Sequence, residues 1–135
     1  MPTDRRDPDV PFPGGHPVSF VDPVGSVLHS ALDGLAMRQT VIADNIANVD
    51  TPNYRATTVD FETNLRRAIE SGSAAELDAP GIDTVATSTP VGANGNNVDL
   101  RKETMAAMQT SYQQQVVGRA ISDRHNLIIT AANAR

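Results

Sequence analysis

Cysteine and tryptophan are both missing from these 135 residues. Without thiols there is no disulfide scaffold, no thiolate metal site and no cysteine nucleophile. Aromatic residues make up only 4% of the chain, so few large side chains exist to organise a self-sufficient core. Leu, Ile, Val and Phe together reach about 22%, just above the disorder-prone range. Basic residues are scarce as well. Eleven Lys and Arg against 16 Asp and Glu leave a net charge of −5, the wrong sign for neutralising phosphates, and no nucleic-acid partner is expected. Nowhere is there an apolar run of transmembrane length, and the opening Met-Pro-Thr-Asp-Arg-Arg lacks the apolar segment of a secretory signal. Neither membrane insertion nor ordinary secretion is expected. A core this thin predicts one domain at most, completed by packing against copies of itself or against partners.

A search for chemistry finds little. His16, His29 and His125 are scattered without metal-ligand spacing. Ser, His and Asp occur, but outside any strand–Gly-x-Ser-x-Gly–helix context. Gly92-Ala-Asn-Gly has neither a following Lys-Ser/Thr nor a strong preceding strand, so it does not read as a phosphate cradle. No catalytic, cofactor-binding or metal-ligating residue is assigned, and an enzyme is not expected.

What is present is helical periodicity, predicting an all-α fold with at most a small β element. Residues 1–22 carry five prolines and no periodicity, and read as a mobile tail. Asp22 as N-cap and Pro23 at the first helical position open a helix expected over 23–49. Val24, Leu28, Ala31, Leu35, Ile42, Ile46 and Val49 fall within a sector of about 60° on its wheel, interrupted by Arg38 and Gln39. A stripe this narrow is a helix-pairing seam. Pro52 lacks an amide hydrogen and disfavours helical geometry at Thr51, so the helix ends by about residues 49–50. Residues 55–71 read as a short second helix, with Phe61, Leu65, Ala68 and Ile69 at helical spacing and Gly72 past its end. Residues 71–97 read chiefly as loop, with a brief strand around 84–87 as the other option. Asp99 caps a last helix running towards Ala132. Its first half carries Met105, Met108, Tyr112 and Val116 on one face; its second half, with Ile121, Leu127 and Ile128, is apolar on more than one side and needs more than one neighbour. Gly118 in its middle offers room for a close helix approach. The chain thus divides into a tail (1–22), a first helix with its turn (23–54), a middle segment (55–98) and a last helix (99–135).

The block Ala43-Asp-Asn-Ile-Ala-Asn-Val-Asp-Thr-Pro-Asn-Tyr54 resembles the N-terminal signature of bacterial flagellar axial proteins, the subunits of rod, hook and filament junctions. The Asp-Thr-Pro-Asn-Tyr ending and a second block, Asn94-Gly-Asn-Asn-Val-Asp-Leu100 before a Met- and Gln-rich helix, are most similar to a proximal rod subunit. The similarity covers roughly residues 26–61 and 92–128. It implies N- and C-terminal helices pairing as a coiled coil, self-assembly into a hollow rod, and export by the flagellar type III apparatus. Implied partners are other copies, FlgC-type rod proteins, the adaptor FliE and the export gate. By the same resemblance, Leu28, Leu35, Ile42, Asn45, Ile46, Asn48, Val49, Thr51, Pro52, Asn53, Tyr54, Met105, Met108, Tyr112, Val116, Ile121 and Leu127 are expected to pack subunits together. From periodicity alone, Asn45 and Asn48 read as local capping residues instead. The alternatives are another axial subunit, such as a FlgC-type protein, or a small helical adaptor binding its partner helix-in-groove.

Overall fold

The computed structural model describes residues 22–73 and 82–134, so the tail expected over residues 1–22 lies outside the described residues except for Asp22. Two long helices dominate. α1 spans Pro23–Ala47 with Pro23 in its first turn, and α3 spans Leu100–Asn133. Asp99 caps α3 as its sequence position predicts, its side chain accepting from the Lys102 amide at 3.1 Å. At the start of α1 the backbone of Asp22 is extended, but its side chain makes no cap; it turns to Arg124 near the far end of α3. At the other end, Asn96 just before α3 meets the carbonyls that follow α1. The helices therefore pair antiparallel. The described residues after Arg124 are all exposed, with Ile128 still bordering the first turns of α1 and the end of α3 running on past them.

α1 stops at Ala47, two residues short of the expected end, with Asn48 as its C-cap. Asn48 donates its side-chain amide back to Asp44 O at 2.8 Å, and its own carbonyl is taken by Asn96. The stop is set by these two asparagines, ahead of Pro52.

Residues 55–61 depart from the expected helix. β1, Thr57–Val59, pairs antiparallel with β2, Thr84–Ala86, in the register Thr57–Ala86, Thr58–Val85, Val59–Thr84. Three β-branched residues in a row favour extended backbone, and Asn45 completes the other edge at Thr57. Asp60 then accepts from the Thr63 amide and hydroxyl, and α2 occupies only Glu62–Glu70. Gly72 follows it at φ 74°.

The core sits where α1, β1 and the start of α2 converge: Leu35, Val41, Val59 and Phe61, with Ala31, Leu65, Ile82 and Val117 packed against it. Arg38, which interrupts the apolar stripe, roofs this core. Its guanidinium lies 4.7 Å from the Phe61 ring centre and donates to Val59 O at 2.9 Å and to Glu62 at 2.5 Å. α2 and α3 each pack on α1 but not on each other.

Candidate subunit interface

The buried side of α1 is not centred on its apolar stripe. Ser30, Gly34, Leu35, Val41, Ile42 and Asn45 are the buried positions, and their mean direction is turned by about 60–70° from the stripe on a 100° wheel. Small residues explain the rotation, because Ser30 and Gly34 allow neighbours close to the helix backbone. Of the seam residues, Leu35 and Ile42 are consumed inside the subunit. Val24 stays exposed, and Leu28, Ile46 and Val49 are half-buried. A strip of the seam thus remains on the surface.

α3 shows the same effect more strongly. It turns Glu103, Ala106, Thr110, Gln113, Gln114 and Val117 towards the rest of the chain, with Glu103 and Thr110 buried. Met105, Met108, Tyr112 and Val116 lie on the outward side and are 66%, 70%, 68% and 48% exposed, with Tyr112 and Val116 at its edge beside α2. Helical spacing puts these four within about 80° of one another. Further along, Ile121 is half-buried while Leu127 is exposed. A contiguous apolar face of this kind on a long helix marks an interaction site. Of the glutamines, Gln109 and Gln115 face out, whereas Gln113 and Gln114 are half-buried, and Gln113 Oε1 has no hydrogen-bond partner. Gly118 brings no helix close within the subunit: a Cβ there would meet nothing within 4 Å.

The turn after α1 is held by side chains from both sequence blocks. Asn45 is 1% exposed. It treats Thr57 as a strand treats its neighbour, donating to Thr57 O at 2.8 Å and accepting from Thr57 N at 3.2 Å. The Tyr54 hydroxyl also donates to Asn45 Oδ1, at 3.3 Å. Asn96 donates to the carbonyls of Asn48, Val49 and Thr51 at 2.8, 3.1 and 2.8 Å, satisfying groups that a helix end leaves open. Asn97 accepts from the Ala56 amide at 2.6 Å and gives its own amide to Thr87 and Thr89. Asn53, in the left-handed region at φ 61°, donates its backbone amide to Asn94 O at 3.0 Å. Gly95 lies so near that a Cβ on it would sit 2.2 Å from Asn53 Oδ1.

The residues expected at subunit contacts therefore fall into two groups. Leu35, Ile42 and Asn45 are interior, and their side chains build the subunit itself; Asn45 is fully engaged by its own chain. Asn48 and Tyr54 are half-buried, while Thr51, Pro52 and Asn53 are exposed on a braced turn. Asn96 and Asn97, both 6% exposed, escape a reading by apolar periodicity because they are polar and lie in a Gly/Asn-rich loop. Two adjacent asparagines directly before a capped helix were the available signal.

Electrostatics are confined to a few contacts. Arg124 donates through Nε to Asp22 Oδ2 at 2.7 Å and through Nη2 to Oδ1; this guanidinium holds the Asp22 carboxyl below the usual carboxylate range. Among the described residues, no cluster of three or more His, Asp or Glu is arranged to hold a metal ion, and no helix is long and apolar enough to cross a membrane.

Residues 26–55 match the family described as flagella basal body rod protein. The chain is 57% identical over 49 residues to the flagellar basal body rod protein FlgB of Borrelia hermsii, a stretch covering 36% of each chain. It is 33% identical over 100 residues to FlgB of Borreliella burgdorferi, covering 60% of this chain and 74% of that one. With FlgB of Bacillus subtilis it shares 32% identity over 113 residues, covering 76% of this chain and 88% of the relative.

Proposed function

The chain belongs to the FlgB family of flagellar basal body rod proteins and is a structural subunit of that rod, and we propose that it is built in through the outward face of α3, the exposed strip of α1 and the turn at residues 48–54. The observation that carries this reading is the exposure of Met105, Met108, Tyr112 and Val116 along one side of α3. Burying a side chain of that size contributes on the order of 1.5–3 kcal/mol, and a polymer repeats the gain at every subunit. Neighbours on these surfaces are further copies of the chain and other rod components. At the rod base we assign the adaptor FliE and the export gate as its contacts, and FlgC-type subunits beyond. Residues 1–22 read as a segment used in export or at that base. The chain does no chemistry of its own in this reading.

The test is a strain carrying only Met108→Asp or Tyr112→Asp, both at exposed positions. The variant proteins should be made and folded like the wild type, yet basal bodies should lack rods and cells should not swim. Normal rods in both strains would remove the α3 face from the interface.

A further inference from the structure

α2 and α3 flank α1 without packing on each other, and the space between them is an apolar groove of about 300 Å³. Leu35, Phe61 and Leu65 line one side of it, and Tyr112, Val116 and Val117 the other. A three-helix arrangement with this slot open has the shape of a bundle missing its fourth member. The one charged residue in the lining, Glu62, is already paired with Arg38, and Gln113 adds a single unpaired Oε1, so the occupant presents chiefly uncharged, apolar side chains.

The same chain carries such a segment. Past Arg124, Leu127 and Ile128 are 71% and 54% exposed, and Ala131 is exposed too. Ile128 also borders Gly25 and Leu28 at the start of α1, whereas Leu127 has no part in that lining. On a 100° wheel these three fall within about 100° of each other and form an uncharged strip. The strip cannot fill its own groove, because Leu127 lies about 15 Å along one continuous helix from Val117. Groove and strip match in polarity, and among the described residues nothing fills the groove while Leu127 and Ala131 stay exposed.

We propose that the groove between α2 and α3 of one subunit receives the Leu127–Ile128–Ala131 strip of a second copy. The two surfaces differ, so the contact is head-to-tail and repeats without needing to close, as a filament requires. The inference rests on the rod-subunit reading and names which surface meets which.

The chain has no cysteine, so introduced thiols report without background. Leu65→Cys and Leu127→Cys are placed together, and separately, in strains where each single variant still swims, and isolated basal bodies are oxidised. A disulfide requires Cα atoms within about 7 Å, which one chain cannot provide between these positions. The expected result is a ladder of covalent oligomers from the double variant, a dimer when the two single variants are co-expressed, and neither from one single variant alone. Tyr112→Cys with Ile128→Cys is run in parallel, so that poor assembly of one pair does not decide the outcome. Rods that contain the variants but give no groove-to-strip bond with either pair would overturn the inference and leave the rod reading intact. A bond to a protein of different mass would do the same. Absence of the wild-type chain from basal bodies would count against the rod reading itself.

Discussion

The ring of Phe61 rests directly on the backbone of Gly34, so close that a Cβ at Gly34 would lie 2.3 Å from Phe61 Cγ and 2.5–2.6 Å from both Cδ atoms. Glycine is needed here for approach, since a residue in mid-helix has no use for its backbone freedom. The contact docks the chain leaving β1 onto α1 and sets one wall of the groove beside α2. Gly34→Ala should gain slightly in helix propensity and lose more through overpacking, with a net cost of about 1–3 kcal/mol. Denaturant unfolding of the purified chain, followed by circular dichroism, measures it. An unchanged midpoint would mean that Phe61 moves aside freely.

Asn96 ties the two sequence blocks together through three carbonyls at the end of α1. Asn96→Ala leaves those acceptors without their donor in a half-buried place, at a cost of about 1–3 kcal/mol. Asn96→Asp should be at least as damaging, because a carboxylate would face three carbonyl oxygens. Hydrogen exchange offers a local readout: the amides of Thr51 and Tyr54, which close the turn, should lose protection before those in the middle of α1.

Asn45 uses both ends of its amide on Thr57. Asn45→Asp replaces the donor with a second oxygen and sets it against Thr57 O at the 2.8 Å distance now held by a hydrogen bond. We expect destabilisation of about 1–3 kcal/mol and loosening of β1 before α1, seen as a lower thermal midpoint. Equal stability of Asn45→Asp and wild type would show that the β1 edge needs no partner on that side.

How much of this was legible depends on the range of the interactions. The start of α1 at Pro23, the cap at Asp99 and the position of Gly72 rest on local backbone chemistry, and the sequence shows them. The stripe on α1 was visible too, but the rotation of the buried side away from it was not, because Phe61 docks on the small residue Gly34 from a distant part of the sequence. Residues 57–59 read as helix because Phe61, Leu65, Ala68 and Ile69 carry helical spacing. Their β-branched run favours extended backbone, and a brief strand around residues 84–87 was one option, but which segment pairs with which is not a local property. On α3, periodicity marked the apolar face correctly but said nothing of its direction. That face points outward because Glu103, Thr110 and Gln113 take the inside. The cradle of Asn45, Asn96 and Asn97 is long-range and polar, the combination least visible to a search for apolar periods.

The clasp between Asp22 and Arg124 joins the open end of the hairpin and makes that end sensitive to acid. Arg124 lowers the Asp22 carboxyl in the folded state, so its contribution is present above the ordinary carboxylate range and is lost as pH falls through the lowered value. Both side chains are partly exposed, so the effect is local and weakens with salt. Protection of the amides around residues 26–28 should fall in strong acid for the wild type. In Asp22→Asn it should be low throughout and nearly independent of pH. Identical pH profiles for the two proteins would show that the clasp does not hold α1 in solution.

The turn at residues 50–54 separates folding from assembly. Pro52 is exposed, and Thr51 and Asn53 beside it are held by Asn48, Asn94 and Asn96, so the chain's exit from α1 is fixed without the pyrrolidine ring. Pro52→Ala should therefore leave the isolated subunit's stability within about 0.5 kcal/mol of wild type, as surface changes usually do. Tyr54 differs, because its half-buried ring and its bond to Asn45 belong to the subunit. Tyr54→Ala should lower stability as well as assembly, while Tyr54→Phe loses only the hydroxyl contact. If the exposed turn docks on a neighbour, Pro52→Ala will give a normally stable chain whose rods are absent or break during basal-body isolation. The two measurements are independent: unfolding of the purified variant, and electron microscopy of basal bodies from cells that carry it. A stable Pro52→Ala chain with intact rods would confine the turn to ending α1.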